Sequence, residues 1–217
     1  MGEFEQVTPE QFADELTRAP STDTFRKQYA RFRPATGDGW NGPDFMIHRG
    51  PLRVKGNFQA PGYCMLILGD LIVDGLIDLQ NPNEKGFDEG GLFIVLGDVI
   101  SLSFSSEYGK CVFIDGDLQS RDMIINAFGD SSLIVTGLLT TKFFYGEDIW
   151  AEVGDGADIE YGYGYCLPIG YSDATRQAIR PRRGADAVLK ALDIKGAAGP
   201  TCLKLRQKLR SGGTIFS

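Results

Sequence analysis

His48 is the sole histidine of this chain, so any Ser–His–Asp or Cys–His arrangement would have to be built on it. Its neighbours Met46, Ile47, Arg49 and Gly50 form no nucleophile elbow, and a surface or entry-strand position explains it without chemistry. Cys64, Cys111, Cys166 and Cys202 lie far apart in the sequence. No pair has the spacing of metal ligands, which predicts reduced thiols in a cytoplasmic protein and no metal centre. No GxxxxGK[ST] loop is present, and Gly154 and Gly156 are too few for a dinucleotide fingerprint, so no cofactor and no catalytic residue is expected.

The residues with most chemical character crowd into 146–165. Glu147, Asp148, Glu152, Asp155, Asp158 and Glu160 stand there without any Lys or Arg, interleaved with Trp150, Tyr161, Tyr163 and Tyr165. Aromatic rings supply contact area and carboxylates steer encounter, so this pattern predicts binding to a basic protein. The competing reading is a solvated last turn whose rings cover the end of the fold. Segment 81–91 (NPNEKGFDEGG) lengthens one repeat and is expected to project as a loop offering a second contact.

These residues must be carried by a repeat. Gly56, Gly75, Gly97, Gly116 and Gly137 recur at intervals of 19, 22, 19 and 21 residues. Gly69, Gly90, Gly109, Gly129 and Gly146 recur at intervals of 21, 19, 20 and 17. Four residues before each glycine of the first column stand Leu52, Leu71, Phe93, Val112 and Leu133. Two before stand Val54, Val73, Val95, Ile114 and Val135, and two after stand Phe58, Ile77, Val99, Leu118 and Leu139. Apolar residues spaced by two mark strands that point alternate side chains into one interior. Glycine suits the bends between such strands because it reaches positive φ without a Cβ clash. A β-sandwich also fits short, regularly spaced strands, but it does not usually keep one inward pattern through successive units. The expected fold is mainly β, a parallel β-solenoid (β-helix) of about five to six turns with helical N- and C-terminal caps. The expected divisions are an N-terminal helical cap and linker at 1–43, the solenoid at 44–165, and a C-terminal helical cap at 166–217.

Thr8-Pro9-Glu10-Gln11 reads as a capping box opening a helix that carries Phe12 and Leu16 on one face. A second helix is expected over 23–32, and 34–43, rich in Gly and Pro, reads as a linker. Near the C-terminus, 184–194 is expected to be a helix with Val188, Leu189 and Leu192 on its apolar side. Another, over 201–209, would pack Leu203, Leu205 and Leu209 inward. Residues 214–216 read as a short anchor. Open solenoid ends invite stacking into fibres, so helices over both ends predict a discrete particle for which self-association is not favoured.

Net charge is −7 but uneven. Residues 1–175 carry 12 basic and 27 acidic side chains, and residues 176–217 carry 10 basic and 2 acidic. An acidic body argues against a nucleic-acid partner. It permits a basic protein partner, or a tail that packs back on the body. Residues 1–7 show no secretory pattern, and the greasiest stretch, 63–79, contains Asp70, Asp74 and Asp78, so no membrane partner is expected. Asp70, Asp98 and Asp117 each follow a glycine and raise acid–base chemistry on polysaccharides as a reading. Asp70 belongs to the second column and Asp98 and Asp117 to the first, so they are not expected to form one ladder. Turn carboxylates bonding nearby amides are the plainer account.

The strings LIVDGLIDL (71–79), GLFIVLGDVIS (91–101), VFIDGDLQS (112–120) and LIVTGLLTT (133–141) resemble bacterial β-solenoid proteins of the polymer-forming cytoskeletal, bactofilin-like group. With helical ends, the chain also resembles helix-capped immunity proteins that accompany polymorphic or type VI secreted toxins. The resemblance covers about residues 50–160 and extends to the run at 209–216. It implies a cytoplasmic, non-enzymatic immunity protein that occludes the active site of a cognate toxin. A bactofilin-like structural scaffold and a polysaccharide-active β-helix enzyme stand as alternatives.

Overall fold

The computed structural model describes residues 4–32, 44–80, 90–163, 168–170, 179–184, 186–191 and 198–216. The expected linker at 34–43, most of the 81–91 segment, Tyr165 and Cys166 lie outside these residues, as do Leu192 and the side chain of Val188.

About six turns of parallel strands stack on one another, each turn contributing three short segments, so the solenoid has three faces. The first face stacks Phe45–Arg49, Cys64–Leu68, Leu92–Val95, Cys111–Ile114, 131–135 and 149–153 in register. The second stacks Leu52–Val54, Leu71–Val73, 99–101, 118–120, 138–141 and 156–159. The third stacks Phe58–Gln59, Leu76–Asp78, 103–107, 123–127, 143–147 and 161–163. Pairing continues past residue 165, where Ile169–Gly170 joins the first face and Arg183–Gly184 the third.

The interior is filled by the alternating residues the sequence marks, among them Val73, Phe93, Val99, Ile114, Leu118 and Leu139, all at most 1% exposed. Their stacking differs from the sequence alignment. Leu52 and Leu71 sit over Val99, Leu118 and Leu139, not over Phe93, Val112 and Leu133. Phe93 stacks on Met65 instead. The corner between first and second faces is therefore lined by Gly50, Gly69, Gly97, Gly116 and Gly137, at intervals of 19, 28, 19 and 21. Gly56 and Gly75 belong to the next corner, where Gly75 packs on Gly56. The 28-residue interval contains segment 81–89, which shifts the alignment by one side of the solenoid.

That register also corrects the aspartate reading. Asp70, Asp98 and Asp117 do form one ladder, at the first-to-second corner. The Asp70 carboxylate accepts from the Asp98 N–H at 2.9 Å, Asp98 from Asp117 N–H at 2.8 Å, and Asp117 from Leu138 N–H at 2.8 Å. Each carboxylate satisfies a corner amide of the next turn, the turn role expected of it.

The helices lie along the sides of the solenoid rather than across its ends. Helix α1 (Pro9–Arg18) starts with the expected capping box, Thr8 Oγ1 accepting from Gln11 N–H at 3.2 Å and Gln11 Oε1 from Thr8 N–H at 2.9 Å. Helices α1 and α2 (Asp23–Phe32) press Phe12, Leu16 and Phe25 onto Leu66, Ile94, Phe113 and Ile134, the outward side chains of the first face. That sheet is thus buried on both sides, which explains continuous apolar runs such as Cys64–Leu68. Thr22 caps α2, its hydroxyl accepting from Phe25 N–H at 3.1 Å, and Asp115 holds Thr22 by accepting its N–H at 2.7 Å. Past α3 (Asp186–Ala191), helix α4 (Ala198–Arg210) covers the outside of the third face with Cys202, Leu205 and Leu209. Leu203, expected inside, is 44% exposed.

At the N-terminal end the strand Glu5–Val7 pairs antiparallel with Phe45–Arg49. Phe4 packs against His48 and Phe58, with ring centroids at 5.4 and 6.2 Å. His48 is 8% exposed, so it is a buried entry-strand residue and not a surface one. Among the described residues no helix is long and apolar enough to cross a membrane.

Candidate functional site

The acidic and aromatic residues expected to bind a partner are spread around the last full turn. Asp155 is exposed at the first-to-second corner. Asp158 points outward from the second face and pairs with Arg182 at 3.2 Å, and Glu160 meets Arg183 at 3.8 Å. Tyr161 and Tyr163 lie on the outside of the third face, not over the end of the fold. Tyr161 stacks on Phe216 with centroids 5.1 Å apart and accepts from Arg183 Nη1 at 3.2 Å, while Tyr163 stacks on Tyr145 at 5.4 Å. The local arginines and the C-terminal segment thus engage most of this half of the set.

The other half stays together. Glu147, Asp148 and Trp150 follow one another through the corner between the third and first faces. Glu147 accepts from the Tyr145 hydroxyl at 2.5 Å, and burial together with this carboxylate pushes the Tyr145 phenol pKa upward. Asp148 adopts φ 54° and its carboxylate accepts from Gly129 N–H at 3.3 Å. Trp150 points outward from the first face, 44% exposed, and its indole N–H donates to Glu152 at 2.9 Å. Glu152 is itself buried and held by Arg31 of α2 at 3.4 Å, so it orients the indole and offers little to a partner.

Three residues that sequence reasoning passed over share this corner. Tyr108, Phe128 and Asp130 have φ of 57°, 66° and 55°. With Asp148 they are all the positive-φ non-glycine residues among those described. Such backbone is uncommon for non-glycine residues and costs about 1–3 kcal/mol each, so its concentration at one corner marks that corner out. The Tyr108 and Phe128 rings lie 5.6 Å apart. Both precede a glycine of the second column, at Gly109 and Gly129, so the aromatic–glycine pair recurring after 20 residues was a readable signal. Asp130 and Asp148 are exposed, and neither meets a Lys or Arg within 4 Å among the described residues.

Elsewhere, a cavity of about 330 Å³ opens between the end of α1 and the first face, over Leu68, Leu96 and Ala19. Among the described residues no group of three or more His, Cys, Asp or Glu side chains is placed to hold a metal ion. What the described chain defines is a β-solenoid splinted along two faces by helices, with an acidic aromatic ridge between them. Comparison with protein-family models, with curated proteins and with solved structures gave no match.

Proposed function

We propose that this solenoid is a non-enzymatic binding protein, an immunity protein that neutralises a cognate bacterial toxin by covering its active site. The contact surface is the ridge of Tyr108, Phe128, Asp130, Glu147, Asp148 and Trp150. The observation that carries the reading is the coincidence of strained backbone, exposed aromatic area and unneutralised carboxylates at one rigid corner. Rigid rings lose little entropy on binding, and uncompensated acids steer a basic cleft toward them. Clefts that bind anionic substrates are basic, which is the chemistry this ridge complements. Asp155, Asp158 and Glu160, on the opposite side of the same turn, contribute to the long-range field and not to the contact.

The test is to look for a secreted-toxin gene beside this one and to titrate its pure product into the pure protein by calorimetry; a neighbourhood without such a gene counts against the reading. Replacing Glu147, Asp148 and Trp150 together by alanine removes two steering charges and one hot-spot ring. At about 2 kcal/mol for the ring alone, affinity falls at least ~30-fold. Unchanged affinity in a normally folded triple variant would place the contact elsewhere. Filaments in the pure protein would favour the scaffold reading instead.

A further inference from the structure

The outside of the third face is a groove whose whole chemistry is directed at one segment. Its floor is Leu76, Met123, Ile125, Phe143 and Tyr145, each at most 3% exposed beneath the C-terminal segment. Cys202, Leu205 and Leu209, on one side of α4, fill it. Its polar anchors are acidic. Glu107 holds Arg206 at 2.7 Å, and Asp78 holds Arg210 at 2.6 Å. Gln80 Oε1 accepts from both arginines, at 2.7 and 3.1 Å. Beyond the helix, Asp122 accepts from Ile215 N–H at 2.7 Å and Phe216 N–H at 2.8 Å, which receives an extended tail.

Among the described residues no strand ladder joins this segment to the solenoid, unlike Arg183–Gly184, which adds directly to the third face. Among the described residues the contacts that hold the segment run through side chains, apolar ones from α4 and carboxylates from the solenoid, as they do for a helix bound in a groove. It carries Lys204, Arg206, Lys208 and Arg210 and has no acidic residue in its first turn. The groove therefore reads three features together. They are an apolar stripe at i, i+3 and i+7, two arginines one helical turn apart, and two free amides after the helix.

We infer that the third-face groove is a docking site for a basic amphipathic helix of a partner protein, and that α4 with its tail is a displaceable occupant supplied by the chain itself. The groove borders the ridge, Tyr145 of its floor donating to Glu147, but the inference rests on α4 and its anchors and not on what the ridge binds. A tethered segment competes from an effective concentration in the millimolar range, so an incoming helix must bind tightly or arrive with a second contact.

The experiment uses the full chain and a fluorescein-labelled peptide with the sequence of residues 198–217, read by anisotropy. In a chain carrying Arg206→Ala and Arg210→Ala, the weakened segment yields and the peptide binds saturably. Wild-type chain binds it at least tenfold more weakly because its own segment competes. A peptide carrying the same two arginine-to-alanine changes loses binding to the double variant. Failure of the double variant to bind the native peptide while its circular dichroism is native overturns the inference, as does equal binding of the arginine-less peptide. A second measurement needs no variant. In wild-type chain, hydrogen exchange at 202–210 runs at least tenfold faster than at 123–127, through local release of α4. Equal protection in the two segments overturns a displaceable occupant. A wild-type dimer with exchanged C-terminal segments would assign the groove to a second copy and overturn the partner reading.

Discussion

Replacing Gly116 by alanine tests the stacking register directly. A Cβ there would sit 2.7 Å from the carbonyl carbon and oxygen of Gly97 and 2.5 Å from Asp98 Oδ1. The backbone on both sides is pinned, Asp117 N–H bonding Asp98 and Gly137 N–H bonding the Gly116 carbonyl at 2.9 Å. The turns cannot part without breaking these bonds, so the overpacking cost falls at the upper end of its range, about 3 kcal/mol. Gly56 occupies the same column as Gly116 in the sequence alignment, yet nothing lies within 4 Å of its Cβ position. Its φ of +85° is the sole obstacle, and Gly56→Ala costs about 1 kcal/mol. The gap of about 2 kcal/mol is roughly a 30-fold difference in the folding equilibrium. Urea titrations followed by circular dichroism read it, provided the slopes of the two variants agree. Adding Asp98→Ala to Gly116→Ala removes the carboxylate contact but leaves both backbone contacts, so it does not rescue. Equal destabilisation by Gly56→Ala and Gly116→Ala would refute the register.

Arg206→Ala strips the cation from a buried carboxylate and costs about 3–5 kcal/mol, capped by the docking free energy of α4, while Glu107→Leu with Arg206→Met recovers most of it. Burial pushes the Glu107 pKa up and Arg206 opposes this, so the lone substitution leaves Glu107 holding its proton to higher pH folded than unfolded. Stability of that variant is then lost as pH rises through the folded-state pKa, and urea midpoints should show a smaller defect at pH 5 than at pH 8. Phe4→Ala uncovers Phe58 and His48 at the N-terminal end, costing about 2 kcal/mol for a half-buried ring, measurable by thermal unfolding. Burial raises the Cys64 thiol to about 12 and pushes Cys111 and Cys202 up as well, but of these three Cys111 alone is partly exposed, so iodoacetamide at pH 8 modifies Cys111 before Cys64 or Cys202; mass mapping showing Cys64 labelled before Cys111 would contradict the packing.

The period, the inward alternation and the parallel stacking were all legible because each is local and repeats. The register was not, because every turn has more than one glycine corner and glycine alone does not say which. Segment 81–89 adds just enough length to move the alignment from one corner to the next. The Gly-Asp pairs at 69–70, 97–98 and 116–117 carried the distinction, since each aspartate bonds the amide of the turn above. The helices were found with nearly correct bounds but placed across the ends, where they lie along the sides. Leu66, Ile94, Phe113 and Ile134 point outward and are apolar, and that is how a sequence announces a sheet covered on its outer surface. The expected binding residues were dispersed because a run of consecutive residues in a solenoid winds around all of its faces. Surface neighbours in such a fold are about 20 residues apart, as Tyr108, Phe128 and Asp148 are.

A stack of repeats usually folds and frays like a zipper, each turn answering only to its neighbours. The lateral helices change that. Thr22 ties to Asp115 across 93 residues of sequence, Arg31 to Glu152 across 121, and Arg210 to Asp78 across 132. Closing such long loops is slow compared with adding one turn to the next. The turns are therefore expected to assemble before the splints, which predicts a refolding stage with both outer apolar faces bare, read as transient binding of a hydrophobic dye. A newly made chain is most prone to clump in that interval, and lengthening the interval, more than weakening the finished fold, is how changes in α1, α2 or α4 lower its yield.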